Sequence, residues 1–106
     1  MAAMETAIEP MPGAPNLLLG AYDIATIGYR ADEYLVTGTA TAMSDESTAE
    51  YATRIVALRP TDPASFNGTV IVEWLNVSGG IDAPAVWLMA HREITRAGFG
   101  YVAVSA

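Results

Sequence analysis

One stretch in the second half of the chain constrains the fold more than any other. Val70–Leu75 is a near-continuous apolar run that only Glu73 interrupts. Runs of this kind are typical of a strand covered on both faces, as in parallel sheets. A glycine-bearing turn, Asn76–Gly80, follows directly, and Asp82 and Pro84 then open a helical pattern. The stretch therefore predicts a buried strand, a tight turn and a helix N-terminus in succession.

A helix and a further strand are predicted to complete this unit. From Pro84 to Ala97 the apolar period becomes helical, and Gly98 follows where a C′ glycine belongs. Tyr101–Val104 is again short and apolar, as a buried strand would be. The two strands and the helix between them predict one βαβ unit with parallel strands. The predicted apolar stripe of the helix is made of Val86, Ala90, Ile94 and Ala97.

The first half of the chain predicts antiparallel strands. Residues 1–16 contain three prolines and are interpreted as an irregular lead-in, so the domain is predicted to span residues 17–106. Strand signals follow at Tyr22–Tyr29 and Tyr34–Met43, and Tyr51–Arg59 has the period of two that a strand with two different faces shows. The predicted fold class is α/β, with N-terminal antiparallel strands followed by one βαβ unit of a partial sheet.

Composition excludes several classes of function. The chain is 52% hydrophobic and 16% charged, which is globular, and its net charge is −7 with arginine but no lysine. This balance argues against nucleic-acid and anionic-membrane partners, because both need cationic residues. With no cysteine and one histidine, no disulfide, zinc or other metal site is predicted, and no cofactor. No signal peptide or transmembrane run is seen, so a cytoplasmic location is expected.

The turn Asn76–Gly80 has two interpretations. Backbone N–H groups of Ser78, Gly79 and Gly80 are candidates for an anion cradle or oxyanion hole, because glycine lets the backbone approach a ligand closely. The alternative is a plain strand-to-helix turn whose glycines satisfy geometry alone. Asp82 argues against phosphate binding and is better explained as a helix cap.

Nucleotide-binding motifs are absent from the sequence. The turn does not match G-x-G-x-x-G, and a P-loop is impossible without lysine.

Ser78 and Ser105 lie near predicted strand ends, but neither sits in a complete G-x-S-x-G. His91 is interpreted as a partly exposed helix residue rather than a general base. No catalytic residue is therefore assigned.

Three further residues receive structural interpretations. A carboxylate in a buried strand needs a partner, and Arg54 or Arg59 on a neighbouring strand is predicted to pair with Glu73. Trp74 and Trp87 are predicted to belong to the core rather than to a ligand platform.

The motif string as a whole resembles a family of α/β-hydrolase-domain proteins. The resemblance is specific over about residues 51–106, and its diagnostic part is Phe66–Thr69 together with Glu73–Gly80. The residues that carry it are Arg54-Ile55, Arg59-Pro60, Asp62-Pro63, Phe66–Val70, Glu73–Gly80 and Tyr101–Ala106.

The resemblance implies a site as well as a fold. Tyr51–Arg59, Val70–Leu75 and Tyr101–Val104 would be the second, third and fourth strands of a sheet ordered 1-2-4-3-5, and the Asn76–Gly80 loop would supply an oxyanion N–H group. The nucleophile, acid and histidine of the family come later in the chain order, and none of those positions exists here. The resemblance thus implies the N-terminal portion of a serine ester hydrolase, with a small-molecule ester as substrate of the full-length protein and no turnover from this chain alone.

The same resemblance implies an open sheet edge. The last predicted strand has barely begun where the sequence ends, so we expect a piece of a longer fold, in which the partner strand of Val70–Leu75 lies elsewhere. An unpaired apolar strand is an aggregation hazard and a surface for self-association. The alternative hypothesis is a non-catalytic binding or interaction module that closes this edge by dimerisation.

Overall fold

The computed structural model describes residues 6–13, 24–76 and 83–105. These residues form one mixed sheet of order β1-β2-β3-β5-β4 and one α-helix between β4 and β5. All neighbouring strands are antiparallel except β4 and β5, which are parallel. The predicted α/β class, with antiparallel strands before one βαβ unit, is confirmed. The elements are β1 (Thr6–Pro10), β2 (Tyr29–Thr41), β3 (Thr48–Pro60), β4 (Val70–Trp74), α1 (Ala85–Ala97) and β5 (Gly100–Ser105).

The two faces of the sheet differ in what covers them. α1 packs on one of them, which we call the helix face, through the buried side chains of Trp87 and Ile94. Strand registers place alternate residues of β3, β5 and β4 on this face, among them Val56, Leu58, Tyr101, Ala103 and Glu73. The core of the chain lies between these residues and α1.

We call the opposite side the open face. Strand registers assign to it Ile55, Ala57, Val102, Val104, Val70, Val72 and Trp74. Val72 and Trp74 are 66% and 72% exposed. No α-helix of the described residues packs there, and β4 has a strand neighbour on one side only in the part of the chain that the structure describes. The predicted apolar edge at β4 is confirmed, but the prediction that this strand is covered on both faces is wrong for the described residues, because its open-face side chains are exposed.

α1 ends where the sequence predicts. Gly98 has φ of +79°, the left-handed conformation, and the N–H of Phe99 donates to the Ile94 carbonyl at 3.0 Å. A Cβ built at Gly98 would lie 2.2 Å from the carbonyl oxygen of Ser65. Glycine is therefore required here by both its backbone conformation and the close approach of a neighbouring loop.

This close approach yields a stability prediction with a matched control. Gly68 also has positive φ, at +91°, but a Cβ there would meet nothing within 4 Å. Gly68→Ala should cost about 1–2 kcal/mol of unfolding free energy, the strain of a left-handed residue. Gly98→Ala should cost about 3 kcal/mol, because the clash with Ser65 adds to that strain. Urea unfolding followed by circular dichroism measures both, and equal losses would contradict the steric argument.

Two predictions for the first half are wrong. Ile24–Ile27, inside the predicted strand Tyr22–Tyr29, is a short 3-10 helix. The segment pairs with no strand among the described residues, and Gly28, which has φ of +77°, separates it from β2. The predicted irregular lead-in contains β1, which pairs antiparallel with β2. Every residue of β1 is exposed, so no alternation of apolar and polar residues marks it as a strand in the sequence. Because β1 lies at the edge of the sheet, it tolerates Pro10.

The apolar stripe of α1 is displaced by one residue at its start. Trp87 is fully buried, whereas Val86 is 45% exposed, and Ile94 is buried as predicted.

In the described part of the chain, no helix is both long enough and apolar enough to cross a bilayer.

Candidate functional site

Residues 77–82, which include Ser78, Gly79, Gly80 and Asp82, lie outside the described residues, but the residues that flank them are described. Asn76 follows β4, and Ala83 precedes α1 by two residues. The Asn76 N–H donates to the Ala83 carbonyl at 3.1 Å, and the Ala83 N–H donates to the Asn76 carbonyl at 2.8 Å. This bridge holds the two ends of the connection side by side, at the carboxyl end of β4.

The carboxylate of Glu73 anchors the start of α1. Its Oε2 accepts from the Val86 N–H at 2.7 Å and its Oε1 from the Trp87 N–H at 3.2 Å. Pro84 is the N-cap residue and makes no side-chain cap bond. The first N–H groups of a helix have no partner within the helix, and its N-terminus attracts negative charge. Glu73, which lies on β4, therefore caps the N-terminus of α1.

Tyr101 completes the anchor from β5. Its hydroxyl donates to Glu73 Oε1 at 2.5 Å, and its ring lies 5.2 Å from that of Trp87, centroid to centroid. Burial, and next the hydrogen bond and charge of Glu73, raise the pKa of Tyr101 far above its ordinary value. Tyr101 is therefore a protonated donor at neutral pH. One buried carboxylate, 7% exposed, thus joins β4, α1 and β5.

The predicted pairing of Glu73 with Arg54 or Arg59 is wrong. Arg54 donates to Glu33 at 2.6 Å, and Arg59 lies 3.4 Å from Asp32. Arg59 is on the open face, opposite to Glu73. Arg54 shares the helix face, but β5 stands between its strand and β4, so about 10 Å of sheet separates it from Glu73.

The other predicted site residues are placed as follows. His91 is half-buried within α1, and its Nδ1–H donates to the Trp87 carbonyl at 3.0 Å, which is a structural contact. Ser105 ends β5 beside the carboxyl end of β4, and its carbonyl accepts from the Thr53 hydroxyl. Trp87 belongs to the core as predicted, but the prediction is wrong for Trp74, which lies on the open face.

Tyr101 is the residue of this network that sequence reasoning missed. The sequence predicts it as part of an apolar strand, because nothing local marks a tyrosine as a donor. A usable signal does exist: a carboxylate in a buried strand demands donors, and the next strand of a βαβ unit lies beside it. The hydroxyl of Tyr101 is the side-chain donor that this neighbouring strand presents to Glu73.

The fold and a comparison with known families together define the class of protein. Strands β2, β3, β5 and β4 lie side by side in this order, and α1 connects β4 to β5. Counted from β2 as the first strand, this is the 1-2-4-3 order expected of the α/β-hydrolase fold. A family model described as an alpha/beta hydrolase domain matches residues 4–106. The chain belongs to this family. Comparison with curated proteins and with solved structures gave no match.

Proposed function

We propose that this chain is the N-terminal portion of a serine ester hydrolase and that it supplies oxyanion-hole donors from residues 77–82. The supporting observation is the Asn76–Ala83 bridge, which brings the strand end and the helix start together at the carboxyl end of two parallel strands. Ligand sites in open α/β sheets lie beyond the carboxyl ends of their strands.

The proposed chemistry is acyl transfer from a small ester to water. Attack of a serine hydroxyl on the ester carbonyl places a negative charge on the carbonyl oxygen, and backbone N–H groups of Ser78, Gly79 and Gly80 would stabilise that charge. The nucleophile, its histidine and its acid would come from a segment beyond this sequence. Glu73 is not proposed as the acid, because three hydrogen bonds occupy it inside the core.

A first experiment tests the incompleteness of the site. The chain alone, assayed with short p-nitrophenyl esters, should show no saturable turnover above the buffer rate. Saturable hydrolysis that survives both Ser78→Ala and Ser105→Ala would show that the chain carries a different nucleophile and would overturn the proposal. The downstream reading frame should encode a G-x-S-x-G motif.

A second experiment tests the loop in a protein extended through that motif. Gly79→Pro and Gly80→Pro each delete one backbone N–H, and loss of a true oxyanion donor lowers kcat by about 10²–10³. Ser78→Ala is the matched control, since it removes a hydroxyl and keeps the N–H, and it should change kcat by less than about threefold. Full activity in both proline variants would remove the oxyanion role.

A second candidate function is a non-catalytic interaction module that dimerises through β4. The observation that favours it is the open edge itself, since Val72 and Trp74 are largely exposed beside unpaired backbone. The Gly100 N–H donates to the Thr69 carbonyl and the Leu75 N–H donates to the Val104 carbonyl. By the alternation of a strand, the peptide groups of Val70, Val72 and Trp74 then point away from β5 and toward a potential partner strand.

A further inference from the structure

The loop between β3 and β4 contains the motif Phe66–Thr69, which the proposed chemistry does not use. This loop packs on the end of α1. The Asn67 N–H donates to the Gly98 carbonyl at 2.9 Å, and its Nδ2 donates to the Ala97 carbonyl at 3.0 Å. The Oδ1 of Asn67 accepts from the Thr69 N–H at 2.9 Å. We call these three hydrogen bonds the Asn67 clamp, because they hold the loop against the helix.

The Asn67 clamp closes the C-terminus of α1. The last carbonyls of a helix have no partner within the helix, and this end carries partial negative charge. Ala97 is the last residue of α1, and its carbonyl accepts from the side-chain amide of Asn67. An aspartate would have the same shape, but it would present a carboxylate to this carbonyl instead of a donor. The clamp therefore needs an amide at position 67, whatever covers the open face.

The amide of Asn67 is also the one in this sequence that is most open to attack by its own backbone. Glycine follows Asn67, whereas leucine follows Asn16 and valine follows Asn76. A backbone nitrogen can attack the side-chain carbonyl carbon of the asparagine before it, and a side chain on the attacking residue hinders this approach. Gly68 has no side chain and has the freest backbone. Ring closure is therefore expected first at Asn67.

This reaction needs only water as co-reactant. The Gly68 nitrogen gives its proton to solvent base and attacks Cγ of Asn67. The new bond between this nitrogen and Cγ closes a cyclic imide, while the bond between Cγ and Nδ2 breaks and Nδ2 leaves as ammonia after taking a proton from water. One water molecule then opens the imide at either carbonyl, which yields aspartate or isoaspartate. No atom is oxidised or reduced.

We propose that Asn67 is a deamidation site, that the Asn67 clamp protects it in the folded chain, and that its conversion releases the C-terminus of α1. Nδ2 is both the leaving group and the donor to Ala97, so this hydrogen bond must break before ammonia leaves. Aspartate lacks the donor, and isoaspartate also lengthens the backbone beside Gly68, whose φ is +91°. Glu73 holds the other end of α1, so only the end near Ala97 should loosen. This proposal does not depend on the proposed hydrolase activity.

A comparison of rates tests the protection. The chain carries Val72→Lys, which blunts the edge strand β4 against association, and is incubated in mildly alkaline buffer with and without urea. Mass spectrometry of its peptides locates each conversion of an amide to an acid. Asn67 should deamidate before Asn16 and Asn76, and at least about tenfold more slowly without urea, because the clamp must open first. Equal rates with and without urea, or earlier conversion at Asn76, would overturn the proposal.

Gly68→Ala tests the route of the reaction in the same experiment. Its Cβ hinders ring closure, so in urea, where the folded backbone adds no strain, the variant should deamidate at Asn67 at least about tenfold more slowly. An unchanged rate would mean that water attacks the amide directly, and the proposed imide would be wrong.

Asn67→Asp tests the release, with Asn67→Ala as its matched control. Both variants lose the hydrogen bond to Ala97, but only the aspartate adds a charge at the negative end of the helix. Amide hydrogen exchange at Gly98 and Phe99 should be faster in Asn67→Asp than in Asn67→Ala, and this difference should shrink in high salt. Exchange at the Trp87 amide, which Glu73 holds, should not change.

Equal exchange of the two variants at Gly98 and Phe99 would overturn the release of the helix end. Exchange that rises equally at Trp87 would show general loss of structure and would overturn it as well. Should Asn67→Asp fail to fold, the comparison of Asn67→Ala with the parent chain decides: faster exchange at Gly98 and Phe99 supports the release, and equal exchange overturns it.

Discussion

Glu73→Ala is expected to lower the free energy of unfolding by about 3–4 kcal/mol. The change leaves the buried Trp87 N–H, the buried Tyr101 hydroxyl and the partly buried Val86 N–H without their acceptor. Hydrogen bonds to a charged group contribute about 1.5–3 kcal/mol each, but the three contributions do not add, because they share one carboxylate and water can reach part of the site left by its removal. Total stabilities of small domains are about 5–15 kcal/mol, so this loss is large. Urea unfolding monitored by circular dichroism measures it.

Graded variants separate the parts of this network. Tyr101→Phe removes one donor and keeps both helix bonds, so a loss of about 1–2 kcal/mol is expected. Glu73→Gln keeps the shape of the side chain but turns an –NH₂ toward a helix N–H. Its loss of unfolding free energy should therefore lie between those of Glu73→Ala and Tyr101→Phe. Glu93→Ala is the control, because Glu93 is an exposed carboxylate of the same helix that pairs with Arg96. If Glu73→Ala unfolds at the same urea concentration as Glu93→Ala, the anchoring role of Glu73 is wrong.

The isolated chain is expected to associate through β4. Its mass is 11.2 kDa, and light scattering coupled to size exclusion should find broad species severalfold heavier. The reason is that unpaired backbone and the exposed side chains of Val72 and Trp74 coincide on one edge. Val72→Lys places a charge on that edge, as natural edge strands do, and should return most of the protein to the monomer mass.

Met89→Lys is the matched control for this prediction. Met89 is 89% exposed on α1, so the substitution changes the net charge equally without touching the edge. Association that both lysines suppress to the same degree would trace to net charge rather than to β4. A discrete species of twice the monomer mass, which Val72→Lys dissociates, would favour the interaction module over the hydrolase portion. A monodisperse parent monomer with a cooperative melt would contradict the edge argument altogether.

The βαβ unit was predictable because each of its signals is local. The apolar run before Asn76, the helical period and Gly98 each report a geometry that neighbouring residues alone determine. β1 and the 3-10 turn at Ile24–Ile27 were not predictable in this way. β1 depends on a free strand edge, which is a property of the assembled sheet, and the 3-10 turn has the β-branched composition of a strand.

The same distinction between local signals and properties of the assembled sheet applies to the candidate site. The turn and its glycines are visible in the sequence, and so is the need of Glu73 for a partner. The identity of that partner was predicted wrongly, because opposite charge suggested arginine, whereas the sheet face and strand order offered the helix N-terminus and Tyr101. Pairing by charge works between neighbouring strands, as Arg54 and Glu33 show, but fails across an intervening strand.

The Asn76–Ala83 bridge has a consequence for how this chain could vary. Two backbone hydrogen bonds close the connection at its base, and neither depends on a side chain. Glu73 holds the helix start from outside the connection. We therefore expect β4 and α1 to stay in place when the six positions between Asn76 and Ala83 are exchanged, shortened or lengthened as a cassette, even where such a change removes the proposed oxyanion donors. Such a cassette is a natural place to graft new loops, because the scaffold already fixes where both of its ends must lie.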